Sequence, residues 1–299
     1  MQAHDQSNRS GQDRAAFSRA LFPDAAARLD AALIRFGRGG GAGSDAIEEF
    51  DAALDAEAAA RFSGAGLSAV AETAGGAALQ RAFALAGEVT QRLLASSGLE
   101  LPEPEAFEAA GYDWHRYAEM LEADPRLMPV PAPFGLGADA WGRAFARLAR
   151  RTETVSAGAG AAEHDDDPLA LGTEVRREFD ALDALPRRVP AVPMGSFAAG
   201  AGAGWILRLV PAGPEPELLG LNHRHGGPHV SLPEMLMLQL MRAITGEPPL
   251  DQRSFTWLAG EFAGGKLAAR HVFDDGVVRI TARETGSQGP HLGARPPRS

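Results

Sequence analysis

Residues 231–246 read SLPEMLMLQLMRAITG, and no other stretch constrains the fold as strongly. Ser231 followed three residues later by Glu234 is a capping-box pattern, in which each side chain satisfies a free backbone donor of the other residue. Pro233 falls in the first helical turn, where its missing donor does no harm. Gly246 stops the helix, and Pro248 and Pro249 keep it from resuming. The predicted helix, 232–244, is apolar nearly all round, so it belongs in an interior rather than on a surface. Its methionines could instead form an adaptable binding face, but the unbroken hydrophobicity favours core packing.

The flanking segments alternate with a period of two. WILRLV at 205–210 and ELLGLN at 217–222 read as strands joined by the loose hairpin PAGPEP. SFTWLAGEF at 254–262, KLAARHVF at 266–273 and VVRITARE at 277–284 read as a meander. AGG forms its first turn, and Asp275-Gly276 is a strong two-residue hairpin signal. The expected order over 204–285 is therefore β-β-α-β-β-β, an antiparallel sheet covered by the buried helix, with residues 286–299 as a coil tail.

The N-terminal half has a helical period. Residues 1–12 read as a disordered tail, and 13–151 as an Ala-rich helical domain. Its helices are expected from Asp13, from Ser44 after the string GRGGGAGS, over 67–94, around 112–123, and from Asp139 to Arg151. Gly75, Gly76 and Gly87 weaken the third. Trp114, Tyr117, Trp141 and Phe145 sit at core spacings, although they could also line a pocket. LMPVPAPFGLG at 127–137 carries three prolines and is expected as an extended crossing segment, neither helix nor central strand. Residues 152–203 read as a linker with one helix, 173–185. The fold class is α+β: a mainly helical N-terminal region followed by the sheet module.

Composition excludes several functions. There is no cysteine, so disulfides, thiolate catalysis and cysteine-bound metals are ruled out. Lys266 is the only lysine beside 28 arginines, a bias typical of a high-GC bacterial coding sequence, which removes a P-loop or Schiff-base lysine. The net charge is −10 and falls almost wholly before Trp205, which argues against nucleic acid and anionic membrane as partners. The opening MQAHDQSNRSGQDR lacks a cationic start and an apolar run, so a secretory signal is not expected and the cytoplasm is the expected location.

The chemistry-bearing string is LNHRHGGPHVSLPEM. His223, His225 and His229 fall within seven residues. If the second strand extends to His225, then His223 and His225 share a face, and His229 lies just before the helix start. Three imidazoles could hold zinc with an open position for water, with Glu234 as a ligand or base. The electropositive helix start suits an anion better. In that reading Asn222, Arg224, His229 and Ser231 bind a phosphate or carboxylate. The acid run His164-Asp165-Asp166-Asp167 reads as solvated charge, and His271 as a satisfied sheet histidine. GRGGGAGS and FAAGAGAG lack the order of phosphate-binding loops, and no Gly-x-Ser-x-Gly elbow is present.

Two functions follow as expectations. The first is a binding or interaction protein with a site for a small ligand or protein partner near the 222–231 loop. The alternative is a metal-dependent or phosphoester-directed hydrolase with His223, His225 and Glu234 as catalytic candidates and His223, His225 and His229 as metal candidates.

Overall fold

The computed structural model describes residues 66–156, 167–186, 189–194, 203–220 and 225–299. The chain divides into two compact units, 1–66 and 67–299. The expectations for the tail 1–12, the first two helices and GRGGGAGS lie outside the described residues, as do most of the linker 152–170, the acid run 164–166, residues 195–202, and Asn222, His223 and Arg224.

The second unit is α+β. After a helical turn at Gly66–Ala69 come helices α1 (Ala74–Arg92), α2 (Pro104–Ala109) and α3 (Trp114–Ala123). The expected helix over 67–94 is thus split, and Thr73 caps the longer part by accepting from the Gly76 amide at 2.9 Å. Gly75 is required there: a Cβ would stand 2.2 Å from the Ala118 carbonyl oxygen, so α1 and α3 meet backbone to backbone. Phe83, Phe107, Trp114, Tyr112 and Tyr117 form a run of edge-to-face rings behind this contact. Trp114 and Tyr117 are therefore core, as are Trp141 and Phe145.

The proline-rich segment becomes strand β1 (Leu127–Phe134), followed by helix α4 (Ala138–Ser156). Next come β2 (Leu169–Leu171), two short helices α5 (Thr173–Arg177) and α6 (Phe179–Leu182), β3 (Val192–Pro193), β4 (Gly204–Pro211) and β5 (Glu217–Leu218). Helix α7 (Leu232–Thr245) then leads into β6 (Phe255–Phe262), β7 (Leu267–Asp274), β8 (Val277–Glu284) and β9 (Leu292–Ala294).

Two sheets result, in the orders β1-β4-β3 and β2-β8-β7-β6-β9-β5. The expected β-β-α-β-β-β order is corrected in three places. First, β4 and β5 are not a hairpin; they lie in different sheets. The partner of β4 is β1, antiparallel from Leu127↔Pro211 to Phe134↔Gly204. Pro129, Pro131 and Pro133 occupy alternate positions of this edge strand, so their missing donors all face away from β4 and cost no ladder bond. Second, 286–299 is not coil. β9 runs between β6 and β5, parallel to the first, and Leu209 exchanges backbone bonds with Arg298 at 2.9 and 2.8 Å. Third, the second sheet is mixed, since β2 also pairs in parallel with β8.

The meander is as the sequence predicts. Asp274 pairs with Val277 around a two-residue loop, with φ of 50° at Asp275 and 82° at Gly276. Positive φ at both positions is the twist-matched hairpin turn.

Helix α7 is buried continuously from Leu232 to Arg242 and has the full capping box. It packs on β1, α1 and α4, and its Gln239 reaches His271 of β7. The greasy helix therefore lies between the two sheets, and its polar residues are partnered. Glu234 meets Arg208 of β4, Gln239 meets Leu250 and His271, and Arg242 donates to the carbonyls of Pro248 and Ala212.

Candidate functional site

The strand expected to reach His225 ends at Leu218, and His223 lies outside the described residues. His225 instead lies against the sheet through the loop. Its amide donates to the Thr285 carbonyl at 3.0 Å. Its Nδ1 lies 3.1 Å from Glu261 Oε1 and its Nε2 2.9 Å from the Leu258 carbonyl, so both ring nitrogens face acceptors. The ring also stands edge-on to Trp257, with centroids 5.1 Å apart.

His229 is brought to His225, with ring centroids 4.5 Å apart. It is 5% exposed. Burial, and then the neighbouring His225, push its imidazole down to about 4. It is therefore neutral at physiological pH. Its Nε2 accepts from the Gly226 amide at 3.4 Å, which assigns the ring proton to Nδ1, and Nδ1 is buried with no partner among the described residues. The loop thus holds a buried, unused donor.

Ser231 and Glu234 are committed elsewhere. Glu234 Oε2 accepts from the Ser231 amide at 2.8 Å and from its hydroxyl at 2.5 Å, and Oε1 accepts from Arg208 Nε at 2.7 Å. A second guanidinium nitrogen of Arg208 completes a bidentate pair. Glu234 is wholly buried, so its carboxylate serves the helix start and the β4 contact rather than the loop. Among the described residues no group of three or more His, Asp or Glu side chains is arranged to hold a metal ion. A metal at His225 and His229 would have to displace the Glu261, Leu258 and Gly226 contacts.

No protein-family model matches the chain, and neither a curated protein nor a solved structure matches it.

One buried constellation had no clear signal in the sequence. His271 Nδ1 lies 2.7 Å from Asp251 Oδ2, and Arg295 Nη2 donates to Asp251 Oδ1 at 2.5 Å. Burial alone would raise the Asp251 carboxyl. The His271 hydrogen bond and the Arg295 guanidinium outweigh it and hold it below the usual carboxylate range. Gln239 fixes the tautomer. Its Oε1 accepts from the Leu250 amide at 3.2 Å, so its nitrogen is the donor 3.0 Å from His271 Nε2, and the His271 proton sits on Nδ1 toward Asp251. Arg295 also donates to the carbonyls of Pro211, Gly213 and Pro214. An Asp–His pair here resembles half a catalytic triad, but its outer nitrogen is occupied by Gln239. The pair ties the C-terminal segment to both sheets. The available hint was Arg295 in GARPPR, an arginine in a stretch read as coil.

Proposed function

We propose that the protein binds a ligand without transforming it, and that the 222–231 loop forms part of the binding surface. One observation carries this reading: the buried, neutral His229 holds an Nδ1–H with no partner among the described residues. A buried donor without an acceptor costs about 1–3 kcal/mol, and a ligand oxygen would recover that cost. The fitting ligand has a carbonyl, carboxylate or phosphate oxygen. The hydrolase reading is weaker, because His225 and Glu234 are already engaged.

The test is nitrogen NMR of the histidine side chains in untagged protein, titrated with inorganic phosphate and with zinc. Phosphate is expected to shift the His229 Nδ1 signal saturably, and His229→Phe to abolish the effect on the neighbouring His225. An unmoved His229 signal, or stoichiometric zinc lost in His225→Ala/His229→Ala, would overturn the proposal; the zinc result would restore the hydrolase.

A further inference from the structure

The second sheet meets α7 through the face that carries His271, so the alternate positions of β6, β7 and β8 form the opposite face. On that opposite face Trp257, Arg270 and Thr281 lie side by side, and Arg283 follows Thr281 by one outward position on β8. Arg270 and Arg283 are therefore diagonal neighbours, roughly 7–8 Å apart along the sheet.

Arg270 is held in place. Its Nε donates to Thr281 Oγ1 at 3.0 Å, and its guanidinium carbon stands 4.0 Å from the centre of the Phe255 ring. It is half-buried, while Arg283 is exposed. Neither has a carboxylate partner among the described residues. The two carboxylates on this face of the three strands are taken: Glu261 faces His225, and Asp274 faces Arg279. The chain joining Gly220 to His225 reads LNHR and contains no carboxylate. Burial, and then the Arg283 charge, lower the Arg270 guanidinium from its ordinary value.

An exposed arginine without a partner is ordinary; a half-buried one beside a second guanidinium is not. Burying a charge costs free energy that a counter-charge offsets, and a neighbouring like charge adds to the cost. The donors left over suit an oxyanion. Arg270 spends one N–H on Thr281 and keeps the rest of its fork, and Thr281, which accepts that bond, keeps its hydroxyl hydrogen. A phosphate monoester carries nearly twice the charge of a carboxylate and one more acceptor oxygen, so it answers two guanidinium groups and a hydroxyl better.

We propose that Arg270, Arg283 and Thr281 form a binding site for the phosphate group of a small soluble molecule. The net charge of −10 disfavours an anionic membrane as the source of that phosphate. The site does not depend on the reading given for the 222–231 loop.

The readout is the arginine Nε–H cross-peaks of the nitrogen-labelled full chain at low salt, where such contacts are least screened. Arg208 and Arg242 serve as internal controls, since their Nε donors are bonded to Glu234 and to the Pro248 carbonyl. Inorganic phosphate is expected to shift the Arg270 signal saturably, and acetate at the same ionic strength to shift it far less. Arg283→Gln, which alters only an exposed side chain, should weaken phosphate roughly threefold to tenfold. Its Tm without phosphate should be no lower than that of wild type, because a like charge is removed. Phosphatidylcholine vesicles doped with phosphatidate should not sediment the chain. An Arg270 signal indifferent to phosphate or equally moved by acetate, an Arg283→Gln variant that binds as wild type or melts below it, or sedimentation with the vesicles would each overturn the assignment. Phosphate that shifts Arg270 and leaves His229 unmoved would bear only on the loop.

Discussion

Replacing Glu234 tests how the two sheets are joined through α7. Its carboxylate closes the capping box on Ser231 and neutralises Arg208, whose side chain is 13% exposed while that of Glu234 is fully buried. Glu234→Ala removes both roles at once. Breaking a buried ion pair from one side costs about 3–5 kcal/mol, because the remaining charge stays desolvated. Losing the return half of the box adds to this, although Ser231 Oγ can still accept from the residue-234 amide at 3.4 Å. A whole N-cap is worth about 1 kcal/mol. The expected loss is therefore about 4 kcal/mol, or roughly 8–16 °C in Tm for a domain of this size.

Arg208→Met should cost less. It leaves a carboxylate that keeps two donors from Ser231 and the positive end of a helix. The combined Arg208→Met/Glu234→Met should cost less than Glu234→Ala alone, since no charge is left unpaired. Urea unfolding followed by tryptophan fluorescence and by circular dichroism measures all three. A Glu234→Ala loss below about 1 kcal/mol, or a double variant equal to the sum of the singles, would refute the idea that the buried charge is the main term.

Two further predictions concern buried polar groups. Burial pushes the Asp183 carboxyl up to about 6, so the native state holds a proton that the unfolded chain has released. Stability from this group falls as pH rises from about 4 to 6, by about 3 kcal/mol. His229, held down to about 4, has the opposite sign: the unfolded chain binds the extra proton below about 6.5, so stability is lost on acidification. Asp183→Asn should therefore steepen the loss of stability between pH 6.5 and 4, and His229→Phe should reduce it; urea midpoints that track wild type at every pH would contradict this. The chain has two tyrosines, and both are buried against β4. Burial pushes Tyr112 up to about 12 and raises Tyr117 as well. Ultraviolet difference titration should find no phenolate in the folded protein at pH 10, and Tyr117→Phe should cost about 1–3 kcal/mol through the orphaned Leu207 carbonyl.

The tyrosines also mark where sequence reading stops. A capping box, an apolar helix and a Asp-Gly turn are local: each residue's role depends on neighbours within a few positions, and α7 and the β7–β8 hairpin were legible for that reason. The pairing of β1 with β4 joins residues at least seventy positions apart, and its cue was phase rather than composition. Three prolines at alternate positions spare every second donor, which is compatible with an edge strand and with nothing more central. On the far side of β4, β3 covers only Gly204 and Trp205. Past its end the Leu207 amide and carbonyl are met by the hydroxyls of Tyr112 and Tyr117 at 3.0 and 3.1 Å, where a longer strand would have continued. Each tyrosine alone reads as a core aromatic, and only the fold makes the pair a substitute for backbone. The histidines fail to be legible for the same reason. Whether His225 and His229 share a site depended on where the strand before them ended, and β5 ended at Leu218. The His225 ring then meets His229 and the edge of Trp257, contacts that no periodicity encodes.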